Sequence, residues 1–148
     1  MRTLVLITAF ALAASGGDAS STDAAASNDT ASSEAAAPAV DLPITEALDL
    51  GPVDAALATQ GEEIYTTRCT TCHKMDERYI GPALAGLMDR RSPEWVMNMI
   101  LAPEKMLASD PEAQALLAEY NVPMTNQNLT QDEARAVLEY LRQLHEGA

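Results

Sequence analysis

Apolar and polar positions in the last fifth of the chain alternate with the period of a helix. Val137, Leu138, Leu141 and Leu144 form one stripe with Tyr140 beside it, the spacing of a helix that buries one face. Its start is marked by Thr130-Gln131-Asp132-Glu133. Thr130 can cap the first turn, Glu133 can return the bond, and Leu129 can pack on Ala134 as a staple. Ser92-Pro93-Glu94 and Asp110-Pro111-Glu112 open two more helices, to about Leu101 and about Tyr120, because proline suits the first helical position. Leu57, Gly61, Ile64 and Tyr65 fall at helical spacing between Asp54 and Thr67. Thr59-x-x-Glu62 offers a second candidate start for that helix, as late as Thr59. Gly61 inside a helix costs about 1 kcal/mol against alanine. The compensation expected is close approach by another helix, so the C-terminal stripe should cross the Gly61/Tyr65 face. The pattern predicts an all-α domain.

Between the first two of these helices stands Cys69-Thr70-Thr71-Cys72-His73, and Cys69 and Cys72 are the only cysteines in the chain. Positions three and four apart share one face of a helical turn. Two thiols so placed can reach two vinyl groups of one porphyrin, and His73 then lies beneath the ring with a nitrogen for iron. The run is the attachment pattern for a c-type haem. Three other readings use the same cysteines. A thioredoxin-like redox pair follows a strand, and nothing upstream of Cys69 alternates like one. A structural zinc site takes about four ligands, and His145 is the only other histidine. A short-loop disulfide in an exported protein is the third.

Composition sharpens this picture. The chain has 148 residues, of which 4% are aromatic, with one Trp and one Phe. That is a thin stock of large side chains for a core, and a buried haem would supply the missing apolar bulk. The net charge of −13 argues against nucleic acid as a partner, since phosphates must be neutralised by cations. The charge divides evenly, −7 over residues 1–59 and −6 over residues 60–148.

Arg2 and the apolar run Leu4 to Ala14 resemble an export signal, too short to cross a bilayer, which takes about 20 residues. Leu12-Ala13-Ala14-Ser15 also resembles a lipoprotein processing site, with Ser15 where a lipid-bearing cysteine would stand. Residues 1–15 are therefore read as a signal-like or lipoprotein-like segment. Residues 16–41 are almost entirely Ala, Ser, Thr, Asp and Gly, too poor in large apolar surface to order themselves, and are read as a disordered linker. Residues 42–148 form the domain, with a core over 54–145. Either processing route places the protein in the periplasm or on the outer face of the cell membrane, with membrane contact only through an N-terminal anchor.

Residues from about Asp54 to His145 resemble a class I monohaem cytochrome c. Gly61 lies eight residues before Cys69 and Tyr65 four before it, as in that family's N-terminal helix, and Gly81-Pro82 with Leu84 matches its Gly-Pro-x-Leu. The resemblance implies four or so helices around one covalently bound haem c and its iron. It implies that Cys69 and Cys72 hold the porphyrin, that His73 binds iron, and that the Pro82 carbonyl accepts a bond from His73 Nδ1–H. A contact of that kind fixes the ring and strengthens the ligand.

For the sixth ligand, Met75 sits beside His73, and Met88, Met97 and Met99 are read as core filler. Met106 and Met124 remain. The family's axial methionine sits where Met124 does, in a loop just before the last helix, and the ligand set is then His73 and Met124. Asn126 is a candidate donor to the Met124 sulfur or to a propionate, and His145 is read as a surface residue at a helix end. The function implied is a single-electron carrier, not an enzyme, working between respiratory donor and acceptor proteins, a terminal reductase or oxidase among them. The alternative is a peroxidase-like or gas-binding haem protein whose axial methionine dissociates.

Overall fold

A computed structural model describes residues 40–147. The expected signal-like segment with Ser15, and the linker up to residue 39, lie outside the described residues. Six helices follow one another there: α1 (Ala55–Arg68), α2 (Leu87–Arg90), α3 (Pro93–Leu101), α4 (Pro103–Ser109), α5 (Pro111–Tyr120) and α6 (Gln131–Glu146).

The main interface is the crossing of α1 and α6. Ala58, Gly61 and Tyr65 are buried on α1, and Ala134, Ala136, Val137, Leu138 and Leu141 on α6. A Cβ built on Gly61 would stand 1.9 Å from the Ala136 carbonyl oxygen. The missing side chain is therefore what lets the two backbones touch. The stripe predicted on α6 is buried through Leu141, but Leu144 is 40% exposed. Tyr65 and Tyr140 meet across the crossing with ring centres 5.4 Å apart.

The helix starts follow their capping chemistry. Thr130 and Glu133 close a reciprocal box at α6. Ser92 accepts from Trp95 N–H, and Asp110 from Ala113 N–H. At α1 the cap is Asp54, which accepts from the Ala56 and Leu57 amides. Thr59 is not a start: its hydroxyl donates back to the Ala55 carbonyl inside the helix. The helices α2 and α4 were not foreseen. Neither has a side-chain cap, so neither carries the usual opening signal, although Pro103 at the first position of α4 was there to be read.

Ahead of α1, residues 40–54 form a strap on the helices. Ile44 exchanges two bonds of 2.8 Å with the buried Asn98 side chain, and Leu48 N–H donates to Glu94 at 2.7 Å. Its last residues meet Glu139, a fully buried carboxylate on α6. Glu139 accepts from Asp54 N–H at 3.2 Å and from the guanidinium groups of Arg135 and Arg142 at 2.7 Å. Arg142 also donates to the Gly51 carbonyl at 2.7 Å. Burial by itself drives the Glu139 carboxyl up, but the two arginines and the Asp54 amide outweigh it and hold it below the usual carboxylate range.

Candidate haem cleft

The helix α1 runs out at Arg68, and the next turn continues its curl. Cys69 N–H donates to Tyr65 O, Cys72 N–H to Cys69 O at 3.1 Å and His73 N–H to Cys69 O at 2.9 Å. These bonds bring Cys69, Cys72 and His73 to one side of the chain, and all three line one cleft. Both cysteines are half-buried and unbonded to each other. Beyond His73 the loop doubles back. Gly81 N–H donates to Cys72 O at 2.8 Å, Leu84 N–H to Lys74 O at 3.1 Å and Ala85 N–H to Met75 O at 2.9 Å.

That return brings Pro82 under the imidazole. His73 Nδ1 lies 3.0 Å from the Pro82 carbonyl oxygen. A carbonyl can only accept, so Nδ1 carries the hydrogen and the Nε2 lone pair is left for another partner. A Cβ on Gly81 would stand 2.5 Å from His73 Cε1, so that glycine makes room for the ring. Tyr65 Oη donates to the His73 carbonyl at 3.3 Å. Burial first, then the neighbouring Cys69 and Tyr140, push the Tyr65 hydroxyl up to about 12, so it stays a donor at any ordinary pH.

The cleft holds about 1420 Å³ of empty space, its open mouth included. Its walls are Leu84, Leu87, Trp95, Val96, Ile100 and the α5 residues Leu116, Leu117 and Tyr120, with Pro123, Met124, Thr125 and Gln127 from the segment before α6. Arg68, Arg90 and Arg91 line it too, and among the described residues no acidic side chain does. In an acidic chain that segregation suits a ligand that is apolar in body and carries carboxylates. Arg90 donates to the Ala83 and Ala85 carbonyls, and the Arg91 guanidinium lies 4.9 Å from the Trp95 ring centre. The residues present therefore fit a haem. Two thiols, an imidazole with a free nitrogen, two thioethers and three guanidinium groups border one apolar space.

The other uses of the cysteines fit less well. Burial, followed by the neighbouring Cys72, pushes the Cys69 thiol up to about 11. A dithiol redox site needs the opposite, a thiolate stabilised near neutrality. Among the described residues no group of three or more His, Cys, Asp or Glu side chains is arranged to hold a metal ion, short of the four ligands a structural zinc site takes.

The methionines separate by position. Met106 is 2% exposed and sits in the core away from the cleft, whereas Met124 borders it. Met97 is buried in the core and Met88 packs against it. Met99, read from the sequence as core filler, lines the cleft as well. Asn126 is not free to serve a sulfur or a propionate. Its amide nitrogen donates to the Leu101 carbonyl at 3.0 Å, and its Oδ1 accepts from Asn128 N–H at 2.8 Å. His145 lies at the last turn of α6, 3.6 Å from Asp89 and away from the cleft. Sequence reasoning missed Trp95 and the Arg90-Arg91 pair. The only signal was two adjacent cations just ahead of a helix start.

A family model described as Cytochrome c matches residues 58–145. A cytochrome c from Rhodothermus marinus is 44% identical in sequence and superposes with a TM-score of 0.69, over 72% of this chain and 91% of that one. The cytochrome c domain of the pp3183 protein from Pseudomonas putida is 34% identical with a TM-score of 0.53, over 58% of this chain and 88% of that one. A cytochrome c2 from Rhodopseudomonas palustris is 37% identical over 46 residues, which make up 31% of this chain and 32% of that protein. The chain thus matches about a third of the length of that curated relative.

Proposed function

The chain belongs to the cytochrome c family, whose members carry one covalently bound haem c and pass electrons singly, and from that premise we propose a carrier in which His73 and Met124 bind the iron. A haem in the cleft supplies a one-electron iron couple. The protein supplies everything that sets its potential and its exposure.

The single observation carrying the reading is that Cys69, Cys72, His73 and Met124 border the same apolar space. Cys69 and Cys72 are the attachment thiols, and a covalent link stops the group from escaping into a dilute compartment. The Pro82 carbonyl holds His73 in one tautomer and makes Nε2 a better donor. Sulfur ligation by Met124 together with His73 would favour the reduced iron and raise the potential, and the apolar walls would act in the same direction because they disfavour the extra charge of the oxidised state.

Exchange takes place at the mouth, near Thr70, Thr71 and the Met124-Thr125 loop. Exposed Ile80 and Val122 stand among the cleft-lining residues and give a partner an apolar contact of the small, transient kind. The partners are redox proteins, a donor and an acceptor of a respiratory chain ending in a reductase or oxidase. The site of action is the periplasm or the outer face of the cell membrane. Residues 1–15 direct export or serve as the remnant of an anchor at Ser15, residues 16–41 act as a tether, and residues 42–148 form the haem domain.

The test is an oxidised and a reduced spectrum of the exported protein together with its intact mass. A mass increased by one haem, c-type bands on reduction and a thioether band on oxidation are expected. Met124→Ala should abolish the thioether band and lower the potential. Met106→Ala should keep both. The reverse result overturns the assignment of the sulfur ligand.

A further inference from the structure

The helix α5 borders the cleft with Leu116, Leu117 and Tyr120, yet Ala113 is its only buried residue. It packs on α4 and little on the other helices. Polar ties fasten it instead. At its start Asp110 accepts from Trp95 Nε1–H at 3.0 Å, and Glu112 pairs with Arg91 at 3.2 Å. At its end a single residue makes the tie. Arg78 Nη1 donates to Glu119 Oε1 at 2.6 Å and Nη2 to the Glu119 carbonyl at 3.0 Å, while the guanidinium lies 4.0 Å from the Tyr120 ring centre.

Two features make this tie matter to the iron site. Arg78 belongs to the loop between His73 and Pro82, whose base is pinned by the Gly81, Leu84 and Ala85 amides. Its partners are the last two residues of α5, where the chain turns through Asn121 at φ 56° and reaches Met124 after Val122 and Pro123. The far side of the same segment is held by Asn126 on the Leu101 carbonyl. The segment carrying Met124 therefore has two fastenings, and one of them is attached to the histidine side of the cleft.

The geometry points to Arg78 as a positioning residue for Met124, a latch between the loop after His73 and the end of α5 that keeps the methionine at the cleft. The inference rests on Met124 being the sulfur ligand. The ion pair is more than half exposed on both sides, and exposed pairs alone add little. This one adds a bond to a helix-terminal carbonyl, which lacks an intrahelical partner, and a stacked cation over an aromatic face. A latch of this kind loosens as salt screens it. Opening it frees the sulfur and lets an outside ligand reach the iron.

The experiment follows imidazole binding to the oxidised holoprotein by absorbance. Arg78→Ala should raise the binding rate about tenfold, the order expected from losing a pair and a stack together, while the thioether band is retained without imidazole. Arg78→Lys keeps the charge but loses the fork and the stack, and should fall between. The wild-type rate should rise with salt and that of Arg78→Ala should not. Exchange of the Asn121 amide, bonded to Leu117 O at 2.8 Å, should quicken in Arg78→Ala. Arg135→Ala breaks an ion pair away from the cleft and should leave imidazole binding unchanged. An unchanged rate in Arg78→Ala, or the same acceleration in Arg135→Ala, overturns the latch. Survival of the thioether band in Met124→Ala would instead overturn the ligand assignment, so the two failures are read separately.

Discussion

Gly61 and Gly81 each keep a volume empty that another group needs. An alanine at 61 would drive its Cβ to 1.9 Å from the Ala136 carbonyl oxygen, and neither backbone can yield without opening the α1–α6 crossing. Gly61→Ala should cost about 3 kcal/mol or more, the upper end of overpacking penalties, read from the urea midpoint of the holoprotein. A loss under about 1 kcal/mol would mean that the helices slide apart freely. At 81 the obstructed group is the His73 ring, with Cε1 2.5 Å from the new carbon. Gly81→Ala should therefore disturb the iron spectrum more than the stability. The sequence announced Gly61 through its place inside a helical pattern. It offered Gly81 only as a motif position, because the ring that needs the space is brought there by the fold of the loop.

At the scale of elements, the helices foreseen are those whose first turns carry their own hydrogen-bond partner. Thr130 serves α6, Ser92 serves α3 and Asp110 serves α5. The same logic predicts that Thr130→Ala removes about 1 kcal/mol, the usual worth of such a cap, seen as a lower thermal midpoint. The capless α2 and α4 form because neighbours hold them, Met106 and Pro103 of α4 being buried. The strap before α1 is likewise held from outside, by Asn98, Glu94 and Glu139. Glu139→Gln should leave two arginines facing a neutral amide and cost about 2–4 kcal/mol, somewhat below a fully buried pair because Arg135 and Arg142 keep some exposure to water. If urea unfolding of Glu139→Gln matched the wild type, the carboxylate would not be what fastens the strap.

For the whole molecule, acid is the natural stress. Glu94, Glu133 and Glu139 all have carboxyl groups held below their ordinary value, and Glu94 and Glu139 both bind strap amides. A carboxylate lowered in the folded state adds stability that is complete above its unfolded value of about 4.3 and is lost as pH falls through the folded one. The urea midpoint should hold above that value and decline below it, and Glu139→Gln should flatten the decline. Haem attachment was legible in the sequence because its chemistry is local: two thiols and an imidazole within five residues, one turn past a helix end. So were the helices that cap themselves and the glycine at their crossing. Only the tertiary structure decided that Met106 is core and Met99 borders the cleft, that Glu139 is buried between two arginines, and that Arg78 meets Glu119 across 41 residues. The reason is physical. Periodicity and caps report what a residue does to its own turn of chain, whereas contacts between distant segments depend on how the whole path closes around the cleft.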